Sequence, residues 1–314
     1  MTRILVTGGA GFIGSHIADA LLARGDEVVV VDNFSSGKAT NVPEGAELIE
    51  GDLADLEVAQ TAMEGGVEGV VHCAARPSVA ASVEDPVSSN RANLESSTRL
   101  LLAARDAGVR RIVYSSSSAV YGGEVDGPSE EGMREAPMSP YGMNKLAAEQ
   151  LFRMAPGLYG VDTISLRYFN VYGPRQDPSS PYSGVISLFV TAALEGREPT
   201  IYGDGHQSRD FTYVSDIVRA NLAALDLESG GGAVFNIGRG QSVDLLTVWA
   251  AIRETCGHPE LETGHVAARV GDIRHSRASV ERAAETLGFT SEVTLERGLE
   301  ETVAWYRAPV SSDP

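Results

Sequence analysis

Tyr141 and Lys145 stand four residues apart in residues 138–145, MSPYGMNK. Positions i and i+4 of a helix share a face. Ser139 and Pro140 suit an N-cap and a first helical position, so a helix is expected to start at Tyr141 and set a phenol beside an ammonium. Of the 25 basic residues in the chain, only Lys38 and Lys145 are lysines. A free phenol titrates near 10, and lowering it by about three units takes roughly 4 kcal/mol. A neighbouring cation is one source of that energy. The planar fork of arginine does not replace a compact ammonium at such a place. The pair therefore reads as a proton acceptor and its helper; the bland alternative is a surface pair on an amphipathic helix.

A second constellation lies near the start. VTGGAGFIGSH puts Gly8, Gly11 and Gly14 directly after an apolar run and at the opening of an amphipathic one. Glycines so spaced allow a tight turn, a close approach of pyrophosphate to backbone N–H groups, and close helix packing. Asp32 ends the next apolar run, about twenty residues on, where a dinucleotide fingerprint has its acid. A carboxylate there accepts from both ribose hydroxyls and repels a 2′-phosphate, so NAD is expected rather than NADP. Asp52, in GDL after a further strand end, is placed to meet the adenine amine.

These groups need a scaffold, and the first 120 residues describe one. RILVTGG, EVVVVD, AELIEGD, GVVHCAA and RIVYSSS read as strands, GSHIADALLARG and SSTRLLLAARDAG as helices. Valine- and isoleucine-rich runs separated by helices indicate a parallel sheet covered on both faces. The expected fold is α/β: a Rossmann-type doubly wound parallel sheet with a smaller C-terminal substrate-binding lobe. The alternation fails after ISLRYFNVYGP, and AVFNIG at 233–238 looks like a return to the sheet. The domains expected are 1–170, with a return near 211–240, for the dinucleotide, and 171–210 with 241–314 for the smaller lobe.

Composition narrows the field. A net charge of −18 lacks the basic footprint of general nucleic-acid binding. A phosphorylated ligand must then find local arginines against a repulsive field. No apolar run approaches the roughly 18 residues of a membrane span, and MTRILVTGG does not read as a signal peptide. Cys73 and Cys256 have neither zinc nor disulfide-framework spacing, and His72 reads as a strand-end packing residue; no metal is expected. A cytoplasmic location fits best.

The GxxGxxG spacing with Tyr-x-x-x-Lys far downstream resembles the extended short-chain dehydrogenase/reductases that act on nucleotide sugars, most closely the NAD-dependent UDP-glucose and UDP-N-acetylglucosamine 4-epimerases. TGGAGFIGSH, VDNFSSG, HCAARPSV, SSSSAVYG, SPYGMNK, RYFNVYGPRQ, YGDGHQSRDFTYVSD, FNIG and GDIRHS follow in the family's order over nearly the whole chain. The resemblance implies a catalytic set of Ser117, Tyr141 and Lys145, with Ser116 and Ser118 as contenders for the serine. It implies NAD contacts from Gly8, Gly11, Phe12, Ile13, Gly14, Asp32, Asn33, Asp52, Leu53, Ala74, Ala75, Asn93, Tyr141 and Lys145. It also implies substrate contacts from Ser118, Asn170, Arg209, Arg269, Asp272 and Ser276, the two arginines on the diphosphate. A homodimer pairing helices that contain 93–107 and 141–154 is implied as well.

The family's common step oxidises C4 of the sugar. The 4,6-dehydratases carry an Asp-Glu pair after the catalytic threonine; this chain has Ser118 and Ala119, which leaves epimerisation as the simplest completion. Ser276 stands where glucose-restricted epimerases have a tyrosine, leaving room for an N-acetyl group. The expected activity is 4-epimerisation of UDP-glucose and UDP-galactose, extending to UDP-N-acetylglucosamine and UDP-N-acetylgalactosamine. The alternatives are a UDP-glucuronate 4-epimerase or decarboxylase, another nucleotide-sugar enzyme of this fold, and a non-catalytic NAD-binding regulator.

Overall fold

Strands and helices alternate through the first half of the chain: β1 (Arg3–Thr7), α1 (Phe12–Arg24), β2 (Glu27–Asp32), β3 (Glu47–Glu50), α2 (Leu56–Thr61), β4 (Gly69–His72), α3 (Val79–Glu84), α4 (Pro86–Asn90), α5 (Ser96–Ala107), β5 (Arg111–Ser117), α6 (Pro140–Tyr159) and β6 (Asp162–Tyr168). Shorter elements follow: β7 (Asn170–Tyr172), α7 (Val185–Leu194), β8 (Thr200–Tyr202), β9 (Ser208–Arg209), β10 (Phe211–Tyr213), α8 (Val214–Asp226), β11 (Ala233–Ile237), β12 (Val243–Asp244), α9 (Leu245–Cys256), β13 (Gly264–Val266), α10 (Glu281–Leu287) and α11 (Leu295–Arg307). This computed structural model describes residues 1–123, 127–178, 184–268 and 273–308.

Seven parallel strands form the main sheet in the order β11-β6-β5-β4-β1-β2-β3. The order reverses between β1 and β4, which opens a crevice at their C-terminal ends. The two-residue side-chain period divides the core cleanly. Ile4, Val6, Val28 and Val30 pack with α1 and α8 on one face. Leu5, Val29, Val31 and Val70 pack with α2, α5 and α6 on the other. A third cluster joins Phe189 and Val190 of α7, Val248 and Trp249 of α9 and Leu299 and Val303 of α11. β11 pairs with β6, as the AVFNIG reading anticipated. α10 sends Ala283 into the sheet cluster beside α1 and α8.

One strand differs from its reading. β3 was expected to be buried, yet three of its four residues are exposed. It is the sheet's edge, and Glu47 and Glu50 protect its unpaired side from further strand addition. Among the described residues, no helix is long and apolar enough to cross a membrane.

Candidate active site and dinucleotide cradle

Tyr141 and Lys145 owe their positions to the first turns of α6. Ser139 is the N-cap and accepts the Gly142 N–H at 3.1 Å, and Pro140 is the first helical residue, as their types suggested. The turn at residues 118–120 presses on α6 so closely that a Cβ on Gly142 would lie 2.7 Å from Ala119 O. That contact brings Tyr141 against the end of β5, near enough to Ser117 for its hydroxyl to favour the phenolate. Ser117 Oγ also accepts the Ala119 N–H at 3.2 Å. One turn deeper, buried Lys145 donates to Ser115 O at 2.7 Å, with its ammonium 4.9 Å from the Tyr114 ring centre.

The three contending serines point to different partners. Ser116 Oγ donates to buried Glu149 of α6 at 2.7 Å. Ser118 lines a cleft of about 140 Å³ together with Ala119, Tyr121, Ser129, Asn170, Arg209, His275 and Ser276. Of the three, Ser117 is the one whose hydroxyl acts on the Tyr141 phenol.

Charge in the site differs from the sequence expectation in one respect. Burial pushes the Tyr141 phenol above its usual range, and the Ser117 hydrogen bond pulls it part of the way back. The Lys145 ammonium is aimed at Ser115 O and the Tyr114 face. Burial in turn lowers Lys145 to about 8, with Cys73 opposing the shift. The protein groups alone keep the phenol protonated at neutral pH.

The glycine loop lies at the crevice between β1 and β4. Gly8 has φ 67, and a Cβ there would meet Ala74 N at 2.7 Å; a Cβ on Gly14 would lie 2.2 Å from Gly8 O. Gly11 is the N-cap of α1 and offers no side-chain cap, and no acid occupies the first turn. The opening N–H groups, at Phe12, Ile13 and Gly14, thus face the crevice with the positive end of the helix, as an anion requires. Asp32 accepts Ala10 N–H at 3.0 Å on one oxygen and Phe34 N–H at 2.8 Å on the other, so each oxygen keeps a further acceptor site. This donor and acceptor set fits NAD.

The remaining expected cofactor contacts are dispersed around that crevice. Asn33 is exposed and accepts the Ser35 N–H at 3.0 Å. Asp52 accepts the Ala54 N–H at 2.9 Å and lies 3.4 Å from Arg91. The Leu53 side chain is buried in the core, while the Ala74 N–H is bonded to Thr7 Oγ1 at 3.1 Å and Ala75 is half-buried. Asn93 is buried, with its amide bonded to Ser89 and Arg76. Among the substrate residues, Ser118, Asn170, Arg209 and Ser276 share the cleft; Arg269 and Asp272 lie outside the described residues.

Sequence reasoning missed Tyr121, Ser129 and His275 in the cleft wall. His275 Nδ1 lies 2.9 Å from Ser208 Oγ. Its place beside Ser276 in GDIRHS was a usable signal. Nothing local marked Ser129, which reaches the wall by a bridge to Ala278.

The parallel sheet, crevice and Tyr–Lys helix define an extended short-chain dehydrogenase/reductase. A sequence profile for the NAD dependent epimerase/dehydratase family matches residues 4–238. A UDP-glucose 4-epimerase of Mycolicibacterium smegmatis is 40% identical over 97% of this chain and 98% of its own. The crystal structure of Thermotoga maritima UDP-glucose 4-epimerase with UDP-glucose superposes with a TM-score of 0.94 at 39% identity, covering 98% of this chain and 99% of that one. A UDP-N-acetylglucosamine 4-epimerase from Methanobrevibacter ruminantium, in complex with UDP-N-acetylmuramic acid, gives 0.92 at 37%, covering 97% and 98%. The chain belongs to the NAD-dependent epimerase/dehydratase family, an enzyme family whose cofactor is NAD.

Proposed function

We propose that this chain is a UDP-hexose 4-epimerase, interconverting UDP-glucose with UDP-galactose and accepting their N-acetylated counterparts. One observation carries the reading: Ser117, at the end of β5, lies close enough to Tyr141 for its hydroxyl to favour the phenolate, and no Asp-Glu pair follows Ser117. In this reading NAD, when bound, supplies the acceptor and donor of hydride and a positive ring that favours a phenolate. Tyr141 takes the C4 hydroxyl proton and returns it after the sugar has turned. Ser117 shares that proton between the sugar oxygen and the phenol. Lys145, held on Ser115 O, keeps the floor of the site positively charged. Arg209 grips the diphosphate, with Arg269 as its partner in the reading and Asp272 on the nucleotide ribose. Bidentate guanidinium–phosphate pairing fixes one end of the substrate while the sugar stays free to rotate.

The relatives named for glucose and for N-acetylglucosamine substrates leave the sugar open, and the small Ser276 side chain favours the wider range. Chain segments 1–170 and 211–240 would then hold NAD, and 171–210 with 241–314 the nucleotide sugar. A second copy of the chain is the proposed partner of the helices that contain 93–107 and 141–154, α5 and α6, with the exposed apolar side chains of α3 and α4 bordering α6. The test is proton NMR of the anomeric region with UDP-glucose, UDP-N-acetylglucosamine and UDP-glucuronate in separate tubes. A galacto-configured signal in the first two supports the proposal. A new signal in the third tube alone, or a pentose product with CO₂, moves the assignment to a uronate enzyme.

A further inference from the structure

Lys38, the second lysine, has no part in the chemistry above. Its ammonium lies 2.8 Å from Asp177 Oδ2. Its backbone N–H donates to Ala10 O in the glycine loop at 3.0 Å. Asp177 belongs to a short strap, residues 174–177, anchored on three other sides. His16 Nε2 bonds Pro174 O at 3.0 Å, Arg175 pairs with Asp19 at 2.7 Å, and the Tyr306 hydroxyl donates to Gln176 O. Arg175 adopts φ 66. A left-handed backbone is unfavourable for a residue with a Cβ, so the strap keeps this path because its anchors hold it there.

The anchors enclose one region. His16 and Asp19 lie on α1, whose N-terminus faces the pyrophosphate site, and Lys38 follows the Asp32 turn expected to hold the ribose. Tyr306 belongs to α11, packed in the third cluster. The strap thus ties both dinucleotide-binding segments to the second group of helices. We propose that the Lys38–Asp177 ion pair is a latch that slows release of NAD, a positioning pair that acts on the cofactor through the two segments it joins. The proposal rests on the epimerase reading in one respect: an enzyme that returns its cofactor to the starting state gains from retaining it.

The test follows NADH release by fluorescence, displaced by excess NAD⁺ with no sugar present. Lys38→Ala and Asp177→Asn should each speed release about three-fold, the double variant no more than either alone, with melting temperatures unchanged. About 0.5 M NaCl should speed the parent protein similarly and leave the variants unaffected. Unchanged release in both variants overturns the latch. So does an effect of Lys38→Ala alone, which would place the ammonium directly on the cofactor. Multiplying effects in the double variant, or release that tracks a lowered melting temperature, also overturn it. Failure of the epimerase reading would appear separately, as silence in the NMR tubes while both variants still release NADH faster than the parent.

Discussion

At the residue scale, the reaction assigned to Tyr141 depends on one oxygen. Tyr141→Phe keeps the ring in its buried place and removes only the proton acceptor. General-base removal of this kind costs about 10²–10⁴ in turnover, and NAD content after gel filtration should be unchanged. Full activity in the variant would sink the mechanism. His72 offers a second residue-level check, because its tautomer follows from its neighbours. Ser97 Oγ donates to Asn93 O, so it accepts from His72 Nε2–H at 2.9 Å. Thr7 Oγ1 accepts Ala74 N–H and donates to Nδ1 at 2.7 Å. The ring is therefore neutral, and burial with the nearby Lys145 charge lowers it from 6.5 to about 3. Between those values the unfolded chain holds a proton that the folded one does not. Its stabilising contribution is whole above pH 6.5 and is lost as pH falls towards 3. Urea unfolding at pH 7.5, 6 and 5 should show the advantage of the parent over His72→Gln shrinking below pH 6.5, by about 1.4 kcal/mol per unit. A constant gap would mean that the ring titrates normally.

At the scale of elements, α6 and the turn at residues 118–120 form the working unit, and Gly142 sets their spacing. Gly142→Ala adds about 1 kcal/mol of helix propensity. It also drives a Cβ to within 2.7 Å of backbone at Ala119, and such overpacking costs about 1–3 kcal/mol. The second effect should win, lowering stability slightly and turnover more than tenfold, with KM for the UDP-sugar little changed. A stabilised, fully active variant would show that the turn yields without consequence. This unit was partly legible from sequence. The N-cap, Pro140, the i,i+4 pair and the glycine loop are local patterns whose chemistry is written in adjacent residues, and they led to the right elements. What lay beyond reach depended on packing between distant segments. The sheet order makes β3 an edge, and Lys145 turns to a carbonyl of β5 rather than to the phenol. Lys38 and Asp177 meet across 139 residues. Within SSSS the sequence named Ser117 with Ser116 and Ser118 as contenders, and what each hydroxyl meets depends on the pleat and on α6.

At the scale of the whole molecule, the outer face of α6 is the feature a monomer does not explain. Met143, Met154 and Leu158 are 48–64% exposed, at helical spacing. Val79 and Val83 of α3 and Val87 of α4 add exposures of 50–78% beside it. An apolar stripe of this kind marks an association surface, and a twofold axis that sets the face against itself buries it with one interface. Each copy carries a net charge of −18, so two copies repel at low ionic strength. Salt shortens the reach of that repulsion to about 10 Å at 0.1 M and about 3 Å at 1 M, and apolar burial does not weaken with it. Association should therefore strengthen as salt rises, the reverse of an interface held by ion pairs. Light scattering across a dilution series should give twice the chain mass, with the dissociation midpoint moving to lower protein concentration in about 0.5 M NaCl. Leu158→Glu should shift the population towards monomer while NAD binding persists, since the substitution faces away from the crevice. A monomeric mass for the parent at every concentration and salt would assign the stripe to something other than a second copy.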